Sequence, residues 1–339
     1  MSPPHSALYG APHTKFKDAM TRAFIFPGQG SQAVGMGKTL AEAFASAREV
    51  FQEVDEALSQ KLSQLMWEGP EADLLLTENA QAAIMTASLA VVRVLQREGG
   101  LDVAKHARLV AGHSLGEYSA LCAAGAFSLA DTARLLKIRG RAMQAAVPVG
   151  EGAMFALIGA DIALAEAVSQ EAVAAAPVTE VGAVCVVAND NAPGQVVISG
   201  LKATVERAGE LAKAKGVKRV LALAVSAPFH CPLMQPAADA MAEALAAVTI
   251  APPLVPVLAN VTAAECSEPE SIRRLLVEQV TGRVRWRESI AALRALGIET
   301  TVEFGGNKVL TGMVKRIDKD LASVTLDTPA DIEAFARTL

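Results

Sequence analysis

Ala107-Arg108-Leu109-Val110-Ala111 runs directly into Gly112-His113-Ser114-Leu115-Gly116, and this junction decides the fold class. A short apolar run of this kind reads as a buried strand, the glycines mark a sharp turn, and helical patterning follows. Strand, tight turn and helix together expose a serine hydroxyl at the end of an open α/β sheet, with a helix N-terminus beneath it. The backbone N–H of Leu115 then points at an oxygen that develops charge on a group attached to Ser114.

Upstream, Ala23-Phe24-Ile25-Phe26 is another buried strand, broken at Pro27-Gly28-Gln29-Gly30. Ligands of open α/β sheets bind beyond the carboxyl ends of the strands, so the N–H of Gln29 is a candidate second oxyanion donor. Helical patterns occupy 38–60 and 79–98. After the elbow, Ser128 caps a helix over 128–146, with Asp131 three residues on and Pro148 as its stop. On the helical period Arg139 shares a side with Thr132, Leu135, Leu136, Ala142, Met143 and Ala146, while Arg134, Lys137, Arg141 and Gln144 take the opposite face. A guanidinium on an apolar face is costly without a partner. That partner is either a protein carboxylate or a substrate carboxylate gripped by two parallel hydrogen bonds.

From 152 to 222 the pattern changes. Ala153–Ile158 reads as strand, 161–175 as helix, Val184–Ala188 as strand, Gln195–Ser199 as strand after an Asn-Asp-Asn-Ala-Pro-Gly turn, 202–215 as helix and 218–223 as strand. The order βαββαβ is ferredoxin-like. The large α/β pattern resumes near Val225, with strands near 254–258 and 300–304. The expected division is a loose extension over 1–22, a large domain over 23–150 plus 224–339, and a small domain over 151–223. Met20 is a candidate alternative start.

A serine nucleophile needs a base, usually histidine. His5 and His13 fall in the extension, His113 adjoins the serine and points away, and His106 lies at the wrong end of the elbow strand. His230 remains, in Ser226-Ala227-Pro228-Phe229-His230-Cys231-Pro232, where two prolines stiffen its loop. Gln279 groups with Ile272, Leu275 and Leu276 on one helical side and is a candidate to orient it.

Bulk properties narrow the class. The 339 residues are 52% hydrophobic, 20% charged and 4% aromatic, enough for a sizeable core filled by aliphatic side chains. Net charge is −5, which argues against general nucleic-acid or anionic-membrane binding. The four cysteines, Cys122, Cys185, Cys231 and Cys266, form no C-x-x-C pair, so no metal or redox motif is expected and a reducing cytoplasm is the simplest setting. No apolar run reaches the roughly 18 residues of a membrane helix.

Phe26-Pro27-Gly28-Gln29-Gly30-Ser31-Gln32, Gly112-His113-Ser114-Leu115-Gly116-Glu117, Ile138-Arg139-Gly140 and Ala227-Pro228-Phe229-His230 together resemble the malonyl-CoA:acyl-carrier-protein transacylases of fatty acid synthesis. The similarity runs from about residue 23 to the C-terminus. It implies an α/β-hydrolase-like large domain with an inserted ferredoxin-like small domain, transfer of malonyl from malonyl-CoA to holo acyl carrier protein, and no cofactor. It implies Ser114 as nucleophile, His230 as base, Gln29 and Leu115 as oxyanion donors, Arg139 as the malonyl carboxylate site and the Gln279 side chain as support for the histidine. Arg283, Arg285 and Arg287 are candidates for the carrier's docking surface, and nothing requires more than a monomer. Gly305-Gly306-Asn307 stands where the family often has Gly-Pro-Gly; asparagine tolerates left-handed backbone, so little effect is expected. Phe229 stands at a position that varies among relatives selecting different acyl groups, and the resemblance implies that its ring favours malonyl over an α-branched group such as methylmalonyl.

Overall fold

The computed structural model describes residues 21–176, 182–225 and 227–339. Among the described residues ten strands form two sheets. Strands β1 (Arg22–Phe26), β2 (Leu109–Gly112), β7 (Val257–Ala259), β8 (Ala264–Cys266), β9 (Thr300–Phe304) and β10 (Ala322–Leu326) make a sheet in the order β10-β9-β1-β2-β7-β8. All its pairings are parallel except β7 with β8.

The central strands are apolar along their whole length because both faces of this sheet are covered. Alternation along each strand divides their side chains between two cores. Phe24, Phe26, Val110, Val302 and Phe304 join the core on one face. Ala23, Ile25, Leu109 and Ala111 face Trp286, Ile290, Leu310 and Val314 on the other. The first face carries the helices Thr77–Glu98 and Leu129–Ala145; the second carries Trp286–Leu293 and Val309–Ile317. Alanines in Thr77–Glu98 let that helix be buried nearly all round.

The second sheet is antiparallel: β4 (Cys185–Ala192), β5 (Gln195–Leu201), β3 (Gly152–Ile158) and β6 (Arg219–Ala222), in the order β4-β5-β3-β6. Helices Ile162–Ala174 and Lys202–Ala214 cover one of its faces around a third core. This is the ferredoxin-like order read from the sequence.

Three details differ from the sequence reading. Of the extension expected over 1–22, residues 1–20 lie outside the described residues. Arg22 already belongs to β1, and the carbonyl of Thr21 accepts from the N–H groups of Glu299 and Thr300. Asn189-Asp190-Asn191-Ala192, expected as turn, completes β4 through two register shifts. Lys137 is buried rather than solvated, because its ammonium meets Glu78 at 3.0 Å and Asn79 at 2.9 Å.

Candidate active site

The elbow exists because two glycines permit it. A Cβ on Gly112 would lie 1.9 Å from the Gly116 carbonyl carbon, and one on Gly116 would lie 2.3 Å from the Phe26 carbonyl oxygen. Between them Ser114 takes a φ of 53°, a left-handed conformation that side chains other than glycine seldom adopt and that clusters at functional sites. Helix Gly116–Ala123 starts immediately after it.

Asn260, which follows β7, holds the strained turn from both sides. Its Oδ1 accepts from the Ser114 N–H at 2.7 Å, and its Nδ2 donates to the Gly112 carbonyl at 2.6 Å. No sequence signal marked this residue; it sits just past a strand end on the same edge of the sheet as the elbow.

His230 reaches the serine from across the sheet. Its Nε2 lies 2.8 Å from Ser114 Oγ. Its Nδ1 faces two acceptors, the backbone carbonyls of Gln279 at 2.8 Å and Gly282 at 3.1 Å. Carbonyls only accept, so Nδ1 carries the proton and Nε2 is left to receive the serine hydroxyl. His230 is buried and itself has a φ of 56°. Burial, with the nearby positive charge of Arg139, pushes it down to about 3, so the ring is neutral.

The histidine support corrects the expectation for Gln279. Its carbonyl, not its side-chain amide, makes the hydrogen bond to His230. The amide instead donates to the Ser114 carbonyl at 3.0 Å and to Glu117 Oε2 at 2.8 Å, while Oε1 accepts from Arg139 Nη2 at 3.0 Å. Helix Pro269–Thr281 ends here, so its last carbonyls, which lack helical partners, are free to accept.

Arg139 is 1% exposed. Its Nη1 donates to Gln81 Oε1 at 2.7 Å, and its Nη2 lies 3.2 Å from Ser114 Oγ. Among the described residues no carboxylate bonds it directly and its Nε has no acceptor, while the buried carboxyl of Glu117 acts on it across Gln279, which bonds both. Of the two partners left open by the sequence, a directly bonded protein carboxylate is not found among the described residues. Gln81 likewise carries no motif; a glutamine inside a buried helix was the available signal.

Glu117 is buried behind the elbow, accepting from Asn260 N–H at 3.0 Å as well as from Gln279. Burial raises its carboxyl to about 7. His113 points away from the serine, as expected, to Asn191 Oδ1 at 2.8 Å and the edge of Trp286.

The cavity in front of Ser114 measures about 290 Å³. Gln29, Arg139, Met143, Met154, Phe229 and His230 are among its walls, so both sheets contribute. Among the described residues the backbone N–H groups of Gln29, which lines the cavity, and of Leu115, next to Ser114, donate to no protein acceptor. The described residues contain no group of three or more His, Cys, Asp or Glu arranged to hold a metal. A serine, a neutral histidine, two unused N–H groups and a buried guanidinium with no directly bonded carboxylate can together transfer an acyl group that carries an anion.

Residues 23–326 match the acyl transferase domain model. The chain is 47% identical over 317 residues to the malonyl CoA-acyl carrier protein transacylase of Bacillus subtilis, covering 94% of this chain and 96% of that one. The chain belongs to the malonyl CoA-acyl carrier protein transacylase family. The transacylase of Escherichia coli K12 is 45% identical over 312 residues, covering 92% and 97% of the two chains. The fold agrees with this family. An acyl-carrier-protein S-malonyltransferase from Bartonella henselae superposes with a TM-score of 0.89 at 56% identity, covering 93% of this chain and 98% of that one. A malonyl-transacylase solved in complex with a type II PKS acyl-carrier protein gives 0.88 at 41% identity, with 94% and 99% covered.

Proposed function

We propose that this enzyme moves malonyl from malonyl-CoA to the phosphopantetheine thiol of acyl carrier protein, supplying extender units for fatty acid synthesis. The observation that carries the malonyl preference is Arg139: a buried guanidinium beside Ser114 Oγ with no protein carboxylate bonded to it directly. A substrate carboxylate supplies the missing charge through two parallel hydrogen bonds.

Ser114 Oγ attacks the thioester carbonyl while His230 Nε2 takes its proton. The N–H groups of Leu115 and Gln29 receive the developing oxyanion. Collapse breaks the carbon–sulfur bond, and His230 returns its proton to the departing CoA sulfur. The carrier thiol then gives its proton to His230, attacks the malonyl-serine ester, and Ser114 leaves with that proton. The imidazolium formed in each step is stabilised by the carbonyls of Gln279 and Gly282 and by the malonyl carboxylate, which offsets Arg139. Substrate binding therefore strengthens the base that the free enzyme holds low.

The chain divides into a catalytic domain over 23–150 plus 224–339 and a small domain over 151–223, acting as a cytoplasmic monomer. Among the described residues no helix is long and apolar enough to cross a membrane. Arg283, Arg285 and Arg287 remain candidates for the carrier's docking surface, each partly exposed and paired with Glu166, Glu288 and Asp190 at 2.6, 2.6 and 2.7 Å.

Intact-mass measurement after brief mixing with malonyl-CoA tests the reading. A malonyl adduct that is absent in Ser114→Ala and passes to added holo carrier protein is expected. Steady release of CoA and free malonate without a carrier would make the protein a thioesterase instead.

A further inference from the structure

The loop Pro27–Gln32 sets Gln29 in the cavity wall, and the position of its N–H depends on what packs behind it. In front, a Cβ on Gly28 would lie 2.7 Å from the His113 carbonyl oxygen, so the loop rests against the elbow. Behind, a Cβ on Gly306 would lie 2.6 Å from Pro27 Cβ, so the turn Gly305–Lys308 rests against the loop. That turn holds four successive left-handed residues, Gly305 at 75°, Gly306 at 84°, Asn307 at 53° and Lys308 at 66°. Two of them are not glycine, a costly arrangement that persists only where the surroundings enforce it. Proline, locked near −65°, does not fit the φ of 84° that Gly306 adopts in this turn.

Two contacts enforce the turn. Glu303, buried in β9, accepts from the N–H groups of Leu310 at 2.9 Å and Thr311 at 2.8 Å, fixing the start of the helix that follows. Asn307 Nδ2 donates to the Ser31 carbonyl at 3.3 Å. Ser31 in turn closes the loop on itself, its Oγ donating to the Gly28 carbonyl at 2.8 Å. The support runs from the central sheet through Glu303 and Asn307 into the residues flanking Gln29.

We infer that Asn307 is a positioning residue for the transfer, bracing the Pro27–Gln32 loop so that the Gln29 N–H meets the oxyanion. The inference rests on the reading of Gln29 as an oxyanion donor. Asn307→Gly keeps the left-handed backbone at no steric cost and removes the amide alone. It lowers the rate of Ser114 malonylation about tenfold, short of the 100-fold or more lost with a whole donor. KM for malonyl-CoA and the thermal midpoint stay at wild-type values. Asn307→Asp sets a carboxylate against the Ser31 carbonyl; its rate is lower still at pH 8 and recovers relative to wild type as the pH falls and the carboxyl becomes a donor. Wild-type malonylation rates in Asn307→Gly, or an Asn307→Asp profile parallel to wild type, would overturn the inference alone. A wild-type enzyme that forms no malonyl adduct would sink the functional reading and this inference with it.

Discussion

His230 has two backbone carbonyls where a serine hydrolase has a carboxylate. With burial and Arg139 pushing it down to about 3, it stays neutral in the free enzyme through the ordinary pH range. kcat/KM reports the free enzyme, so its profile for malonyl-CoA has no acid limb belonging to this histidine near 6.5. An inflection near pH 7 belongs to Glu117 and disappears in Glu117→Gln; an acid limb that persists there contradicts the assignment. Glu117 also predicts a stability effect. Its carboxyl is raised to about 7 from 4.5, so between those values the folded protein holds the extra proton. Its contribution is therefore favourable below that window and lost as pH rises through about 7. Glu117→Gln gains urea stability relative to wild type at pH 8.5 over pH 5, by at most about 3 kcal/mol. Arg139→Ala loses about 100-fold in malonyl kcat/KM, the value of about 3 kcal/mol for charged hydrogen bonds to a carboxylate, and keeps acetyl transfer. Near-normal malonyl turnover in that variant removes the carboxylate clamp from the mechanism.

The elbow works as an element because Asn260 ties its two ends, one bond to the Ser114 N–H and one to the Gly112 carbonyl. Asn260→Asp keeps the acceptor for Ser114 and loses the donor to Gly112; Asn260→Ala loses both. Malonylation rates should therefore fall in the order wild type, Asp, Ala, with KM little changed. Equal rates in all three show that the glycines alone hold the turn. Gly116→Ala drives a methyl into the Phe26 carbonyl at 2.3 Å, and β1 or the elbow must move. Loss of cooperative thermal unfolding by circular dichroism is the expected outcome.

One joint between the two sheets lies where β4 meets Val284. Val284 N–H donates to the Ala188 carbonyl and Asp190 N–H to the Val284 carbonyl. Arg287 then grips Asp190, whose side chain is 1% exposed, through Nε at 2.9 Å and Nη2 at 2.7 Å. Removing one partner of a pair buried at one end leaves an uncompensated charge. Arg287→Ala is expected to cost about 3 kcal/mol in urea unfolding, together with a higher KM, because Asn189 beside this joint lines the cavity. A loss below about 1 kcal/mol, the value of an exposed pair, would show that the backbone bonds alone join the sheets.

The sequence by itself determined the elements whose signals are local. Continuous apolar strands ending in glycine turns placed Phe26 and Gly112 at one sheet edge, the Ser128 cap set the start of the Arg139 helix, and βαββαβ patterning marked the small domain. Elimination left His230 as the base. Tertiary structure decided what depends on partners distant in the chain. Asn189–Ala192 reads as a turn from composition, yet becomes strand because Arg287 and His113 satisfy Asp190 and Asn191. Lys137 looks solvated until Glu78 meets it. Asn260 and Gln81 carry no motif, since an amide acquires its role only from the groups that folding sets beside it. Gln279 was legible as a position but not in its action, because a backbone carbonyl leaves no mark in the sequence.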